Sequence, residues 1–118
     1  MSNYKQLDVW KLSIELTEFI YVCTKSFPKD EIYGLVSQMR RCSVSIASNI
    51  AEGSGRASRK EYAHFLSIAY GSCCELETQI VIAARLSYVD KKIATELDIK
   101  IASISRMLRA LIRSIKKD

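Results

Sequence analysis

The chain has 118 residues, of which 48% are apolar and 26% charged, and its formal net charge is +5. This length suits one domain over residues 1–118, because two separate cores would each fall near a marginal size of about 60 residues. The composition excludes a disordered chain and a membrane protein. Four glycines and one proline are too few for a many-turned sandwich or barrel, so long helices are expected.

Four segments with helical rather than alternating periodicity follow one another along the chain, separated by short breaks rich in Gly, Pro, Ser and Asp. Short connections between long helices make sequence neighbours antiparallel. The predicted fold is therefore all-α, an antiparallel up-down-up-down four-helix bundle. Its helices are predicted at about 8–26, 31–51, 58–87 and 91–115.

Local signals refine the ends and faces of these helices. A capping box begins the third helix, where Ser58 accepts from the N–H of Glu61, and Asp90 is a candidate cap for the fourth. Gly53 is expected to end the second helix in a left-handed conformation, and Gly71 to allow a close helix approach. Near the same helix end, Asn49 is expected to bond a free carbonyl, and Glu52 to pair with Arg56 or Arg59. Arg40 and Arg41 lie away from the core, where they either line a channel of a ring or meet a neighbour's acids. The predicted core stripes are Val9, Leu12, Leu16, Ile20, Cys23 and Phe27; Ile32, Val36, Met39, Ile46 and Ile50; Tyr62, Leu66, Ala69, Cys73, Leu76 and Ile80; and Leu97, Ile101, Ile104, Leu108, Leu111 and Ile115.

The first helix carries more apolar residues than one core face uses. Trp10, Ile14 and Tyr21 lie about 100° to 140° from Val9 on the helical wheel and form a second stripe. On the fourth helix, Ile99 faces away from the core stripe. A row of large apolar residues outside the core favours self-association, with wide-angle packing inside the monomer as the alternative.

One end of the predicted bundle carries ten basic residues and only four acidic ones, Asp8, Glu52, Glu61 and Asp118. Guanidinium groups there suit phosphate oxygens, whereas a solvated helix terminus is the alternative. No aromatic residue interleaves the basic strip of the fourth helix, which favours phosphate contacts over base stacking. The candidate nucleic-acid-binding residues are Arg56, Arg59, Lys60, Arg106, Arg109, Arg113, Lys116 and Lys117.

No motif for nucleotide binding, acyl transfer or a zinc finger occurs in the sequence. The isolated Glu-x-x-His at 61–64 lacks the second such motif that a di-iron bundle needs. We therefore expect no enzyme activity, metal or cofactor. Neither a signal peptide nor a membrane segment is evident, so a cytoplasmic protein with buried, reduced thiols is expected. The cysteines are Cys23, Cys42, Cys73 and Cys74.

Several sequence motifs together resemble one known family, the four-helix-bundle proteins encoded in intervening sequences of bacterial large-subunit ribosomal RNA genes. The accessory protein of diversity-generating retroelements belongs to the same family. The resemblance covers about residues 5 to 115, and the run Ser43–Gly53 is its most specific part. The other motifs are Leu7–Lys11, Phe27-Pro28, Glu31-x-x-Gly34-Leu35, Gln38–Arg41, Ser58-x-Lys60-Glu61-Tyr62, Ala69–Ser72 and Glu75-Leu76.

The resemblance implies a four-helix bundle that assembles into a ring-shaped homopentamer. Because the retroelement relative works with nucleic acid, the resemblance also implies a role with nucleic acid. We therefore expect a non-enzymatic homo-oligomer that binds RNA or DNA through its basic face, with Trp10, Ile14, Tyr21 and Ile99 at the subunit interface. The alternative is a ring-shaped adaptor for a protein encoded nearby, with no direct nucleic-acid contact. Salt-insensitive binding would favour the adaptor.

Overall fold

The computed structural model describes residues 3–117 as a four-helix bundle measuring 47 × 23 × 20 Å, with no strand in that range. Each helix packs against its sequence neighbours, and the first closes on the fourth. The all-α four-helix bundle is confirmed. Asp118, counted above among the acidic residues of the basic end, lies outside the described residues. The elements are 3-10 turns at Tyr4–Gln6 and Lys29–Glu31 and the helices α1 (Asp8–Thr24), α2 (Leu35–Ser54), α3 (Arg59–Arg85) and α4 (Lys91–Lys116).

The core runs along the bundle axis and contains most of the predicted stripe residues, together with several buried polar side chains. Ser13 and Thr24 are buried on α1, and their hydroxyls donate to the carbonyls of Val9 and Ile20 at 2.7 Å. Each buried hydroxyl is therefore satisfied within its own helix. The largest fully buried side chains are Leu16, Ile20, Met39, Ile46, Ile50, Leu66, Leu76, Ile80, Leu97, Ile101, Ile104 and Leu108.

Helix α2 begins four residues later than expected, at Leu35. A 3-10 turn follows Pro28, and the Glu31 carboxylate accepts from the N–H of Leu35 at 3.1 Å, capping the helix from outside. Ile32 therefore precedes the helix and is 56% exposed. The placement of Ile32 in the core stripe is wrong, because extending the helical period across the turn assigned it the wrong direction.

The second carboxylate oxygen of Glu31 joins the two loops at this end of the bundle. It accepts from the phenol of Tyr88 at 2.9 Å, and the Tyr88 ring lies 5.2 Å from the ring of Phe27. Since Tyr88 follows α3 and Phe27 follows α1, one carboxylate links both connections. The hydrogen bond to Glu31 raises the pKa of Tyr88.

The two helical glycines have the reverse of their expected roles. Gly53 is a buried residue within α2, and none of the four glycines, all in the described range, has a positive φ. A Cβ on Gly53 would lie 2.8 Å from the Cβ of Phe65, so α2 and α3 approach closely there. Gly71 is exposed and has nothing within 4 Å of such a Cβ. The left-handed Gly53 and the close approach at Gly71 are both wrong.

The predicted caps of α3 and α4 are confirmed. Ser58 accepts from the N–H of Glu61 at 3.1 Å, and Asp90 accepts from the N–H of Ile93 at 2.8 Å. Helix α3 ends before Ser87, whose φ of 62° is left-handed. The following N–H bonds back to Ala83, which satisfies a helix-terminal carbonyl and lets the chain turn into α4.

Polar side chains cross the seam between α2 and α3 in the middle of the bundle. The Cys42 thiol donates to the carbonyl of Ser72 at 3.0 Å, and the Ser72 hydroxyl donates to that of Ser45 at 3.1 Å. The amide of Asn49 donates back to the Ser45 carbonyl at 2.8 Å. Asn49 therefore bonds a carbonyl as expected, but one inside its own helix rather than at a free helix end.

The four cysteines are all free, and they differ in burial. Cys42 and Cys73 are buried, Cys23 is half-buried and Cys74 is exposed. The expectation of buried thiols is therefore wrong for Cys74, which points outward from α3. Burial, with the nearby Glu75 carboxylate, raises the pKa of Cys42 to about 12, and burial raises that of Cys73 to about 11. Among residues 3–117, no helix combines the length and apolar character needed to cross a bilayer.

Candidate nucleic-acid interface

A groove runs between the first half of α3 and the last turns of α4. It consists of two adjoining depressions of about 520 and 290 Å³ that share Ser67. We call this feature the basic groove. The wider depression is lined by Arg59, Lys60, Ala63, His64, Ser67, Ile115 and Lys116, and the narrower by Ser67, Tyr70, Arg109, Ile112 and Arg113.

Both walls of the basic groove carry cationic side chains. Arg59 and Lys60 come from the first turn of α3, which the Ser58 cap fixes in place, and Lys116 and Arg113 come from the last turn of α4. Among the described residues that line it, none is a carboxylate. Three other surface grooves contain Glu75, Glu15 or Asp8. The described lining of the basic groove therefore concentrates positive charge.

The lining of the basic groove includes an aromatic ring that the sequence did not predict. Tyr70 is half-buried on α3, and the guanidinium of Arg109 on α4 lies 5.9 Å from its ring centroid. The prediction that no aromatic accompanies the basic strip holds for α4 alone, because the ring comes from the neighbouring helix. On the helical wheel, Tyr70 lies about 120° from Leu76, which places it outside the core stripe of α3. The wheel alone does not show which helix packs on that side.

Three of the eight candidate residues lie outside the basic groove. Arg56 pairs with Glu52 at 2.6 Å, as the sequence predicted, and its guanidinium covers the ring of Phe65 at 4.7 Å. Arg106 is exposed on α4 but lines neither depression. Lys117 is exposed, and its carbonyl accepts from the Arg59 guanidinium at 3.5 Å. That contact ties the end of α4 to the start of α3.

The other five candidates line the basic groove itself. They divide between the two helices that form its walls, and both depressions contain at least two of them. The structure thus brings together side chains that are far apart in the sequence. The five are Arg59, Lys60, Arg109, Arg113 and Lys116.

The four candidate interface residues occupy two different sides of the bundle. Trp10 is half-buried with its ring 5.5 Å from that of Tyr4, and Tyr21 is 40% exposed beneath the guanidinium of Arg40, 4.6 Å away. Ile14 is half-buried between these positions on α1. Ile99 is 65% exposed and borders a groove between α1 and α4. Two separate apolar surfaces therefore exist, one beside α2 and one beside α4.

The sequence left open whether Arg40 lines a channel or meets a neighbour's acids. In the structure, Arg40 bonds to residues of its own chain. Its Nε donates to the hydroxyl of Thr24 at 3.0 Å, and its Nη2 donates to the carbonyl of Tyr21 at 3.3 Å. It thereby holds the end of α1 against α2. Arg41, the next residue, is exposed and lines a polar groove with Glu75.

A metal centre has no support in the described range. No group of three or more His, Cys, Asp or Glu side chains that could hold a metal ion occurs among residues 3–117. Glu61 and His64 are both exposed, and His64 lines the wider depression of the basic groove.

The fold and this groove define a basic four-helix bundle. A model of the family described as 23S rRNA-intervening sequence protein matches residues 5–110. The chain belongs to that family. The resemblance drawn from the motifs is thereby confirmed for the family itself.

Comparison with solved structures agrees with the fold. The chain is similar to a protein of unknown function from the S23 ribosomal protein family of Bacteroides thetaiotaomicron VPI-5482, with a TM-score of 0.80. The two share 22% identity over 88% of this chain and 97% of the other, so the likeness concerns the fold alone. No curated protein matches this chain significantly.

Proposed function

We propose that this protein is a non-enzymatic, homo-oligomeric, cytoplasmic bundle that binds RNA or DNA through the basic groove, mainly by contacts with phosphates. One observation carries the proposal. Five cations from two helices line one groove, and the described residues of its walls include no carboxylate. Arginine forks and lysine ammonium groups suit phosphate oxygens, and this term depends little on base sequence.

Oligomerisation strengthens this binding in the proposal. One groove presents few charges, whereas copies arranged in a ring raise the local field and allow several simultaneous contacts. The two separate apolar surfaces, around Trp10 and around Ile99, support a cyclic arrangement. A head-to-tail ring needs two different surfaces on each subunit, whereas a two-fold dimer uses the same one twice. A pentamer is the ring that the family resemblance implies.

Charge reversal tests the groove directly. We expect Arg109→Glu with Arg113→Glu to weaken binding of any sequence and to lower the slope of log affinity against log salt by about 2, one for each lost phosphate contact. Lys91→Glu with Lys92→Glu is the matched control. It makes the same charge change at exposed positions on the same helix, but at the other end.

The readout is fluorescence anisotropy of labelled RNA and DNA across a salt titration, on protein whose oligomeric mass is known. Equal losses in both double variants would show that net charge, not the basic groove, governs binding. Absence of binding at low salt would contradict the proposal and favour the ring-shaped adaptor.

A further inference from the structure

The narrower depression of the basic groove has a different chemistry from the wider one. Its walls carry Arg109 and Arg113, but its lining also includes the Tyr70 ring, the apolar Ile112 and the Ser67 hydroxyl. Phosphates need cations and hydrogen-bond donors alone. An aromatic face beside an apolar side chain is what a nucleic-acid base contacts when it leaves its stack.

The Tyr70 ring already carries a planar cation. The Arg109 guanidinium lies 5.9 Å from the ring centroid, a distance at which cation–π attraction is significant. Both groups are planar and polarisable, and bases stack on tyrosine rings and on arginine planes alike. A base entering the depression can therefore stack against this pair without any specific hydrogen bond.

We propose that the basic groove binds a single strand of nucleic acid, with an unpaired base stacked at Tyr70 and Arg109 and the backbone phosphates held by Arg59, Lys60, Arg113 and Lys116. The proposal rests on the proposed function and names the form of nucleic acid that the groove selects.

A single strand fits these features better than a duplex does. In a duplex the faces of the bases are covered by neighbouring bases, so Tyr70 would find only sugar and phosphate. Arg59 and Tyr70 lie eleven helical steps apart, or roughly 16 Å, so one strand can contact the cations of the wider depression and the ring of the narrower one at the same time.

The first experiment compares strand forms. Labelled single strands of about 12 nucleotides, RNA and DNA, and the duplexes made from them are titrated with the full-length protein at about 50 and 200 mM salt. We expect single strands to bind at least tenfold more tightly than duplexes at both concentrations. Duplexes that bind as tightly or more tightly overturn this inference.

Replacing the Tyr70 side chain measures how much base stacking contributes to the binding affinity. Tyr70→Ala is expected to weaken single-strand binding about 5- to 150-fold with an unchanged salt slope, while Tyr70→Phe retains binding because it keeps the ring. Tyr33→Ala is the control, since Tyr33 is 94% exposed and lies outside the basic groove. Equal affinity of Tyr70→Ala and the parent protein overturns the stacking role.

A crosslinking measurement avoids the risk that Tyr70→Ala unfolds, since Tyr70 packs against the core. Single strands that contain 5-iodouracil are irradiated with the unmodified protein, and the attached residue is identified by peptide sequencing. We expect attachment at Tyr70, whereas attachment confined to residues outside the groove overturns the inference.

The failure of this inference is distinguishable from failure of the proposed function. Duplex binding that Arg109→Glu with Arg113→Glu abolishes, with no preference for single strands, leaves a phosphate-binding groove and removes the stacking site. Lack of binding to every strand form removes both.

Discussion

Helix α3 forms two very different seams with its neighbours. Towards α2 the helices close around Gly53, whose added Cβ would lie 2.8 Å from that of Phe65, and the Cys42 thiol bonds the carbonyl of Ser72. Towards α4, at the same end of the bundle as Gly53, the seam opens into the basic groove. The difference lies in side-chain size and charge, since small residues allow close approach, whereas lysines and arginines keep their charged ends in water.

The two seams are expected to have different roles, one in folding and the other in binding. The closed seam buries thiols and hydroxyls with partners, which fixes the register of α2 against α3. The open seam places five cations around a solvent-filled groove, and exposed charges of this kind add little to folding stability. We therefore expect substitutions in the closed seam to change folding, and substitutions in the basic groove to change binding.

Thiol reactivity gives the largest expected contrast. Because burial raises the pKa of Cys42 to about 12, its thiolate is much scarcer at pH 8 than in the unfolded chain. We expect iodoacetamide to modify exposed Cys74 first and Cys42 only after unfolding in urea. Mass spectrometry of the digested protein measures both rates. Comparable rates at the two sites would show that the seam opens readily.

The buried thiols of Cys42 and Cys73 make stability depend on pH. Their pKa values are raised by folding, so the unfolded chain loses these protons first as pH rises above about 9. Their contribution to the free energy of unfolding is therefore complete below pH 9 and decreases towards pH 12. Urea titrations of Cys42→Ala and the parent protein should show a shallower alkaline loss in the variant.

Gly53→Ala tests the closed seam by adding one methyl group. The new Cβ would meet Phe65 and the backbone of Tyr62, so we expect a loss of about 1–3 kcal/mol in the free energy of unfolding. Gly55→Ala is the control, because a Cβ there has only ordinary contacts, the nearest at 3.6 Å. Urea denaturation measures both. Equal stability of the two variants would contradict a tight approach at Gly53.

Gly71→Ala examines the solvent-facing side of the same helix. Gly71 is exposed with open space around it, so alanine removes a helix-interior glycine at no steric cost. We expect a gain of about 1 kcal/mol in the free energy of unfolding. Thermal unfolding at low and at high protein concentration distinguishes this from a packing role. A loss of stability at high concentration alone would place Gly71 in a contact between copies of the chain.

Lys60→Gln tests the open seam and has the smallest expected effect. It removes a cation from the first turn of α3, where the helix dipole disfavours one, so stability should rise by less than about 0.5 kcal/mol. The gain should shrink in high salt, which screens exposed charges. A clear loss of stability would show that Lys60 holds the groove together.

Sequence patterns predicted the features that one helix determines by itself. The Ser58 and Asp90 caps, the pair of Glu52 with Arg56 and most of the core stripes depend on spacings of three or four residues. Such spacings are fixed by helical geometry whatever the neighbouring helices do. The all-α class and the antiparallel order follow from them together with the short connections.

Most of the wrong predictions concern contacts between elements. Gly53 and Gly71 look alike in sequence, and only the position of Phe65 on the next helix separates them. Tyr70 joined the basic groove because α4 lies on its side of α3, and helical periodicity does not specify on which side a neighbour packs. The late start of α2 at Leu35 depends on Glu31, whose cap acts across a turn.

The carboxylate of Glu31 also bears on the order in which contacts form during folding. It lies between α1 and α2, while its partner Tyr88 lies 57 positions later between α3 and α4. Because the two residues are far apart in the sequence, the loop-closure entropy must be paid before this bond forms, and we expect it to form late in folding. Glu31→Gln should therefore speed unfolding more than it slows refolding, making this end of the bundle a marker of the last step on the folding pathway.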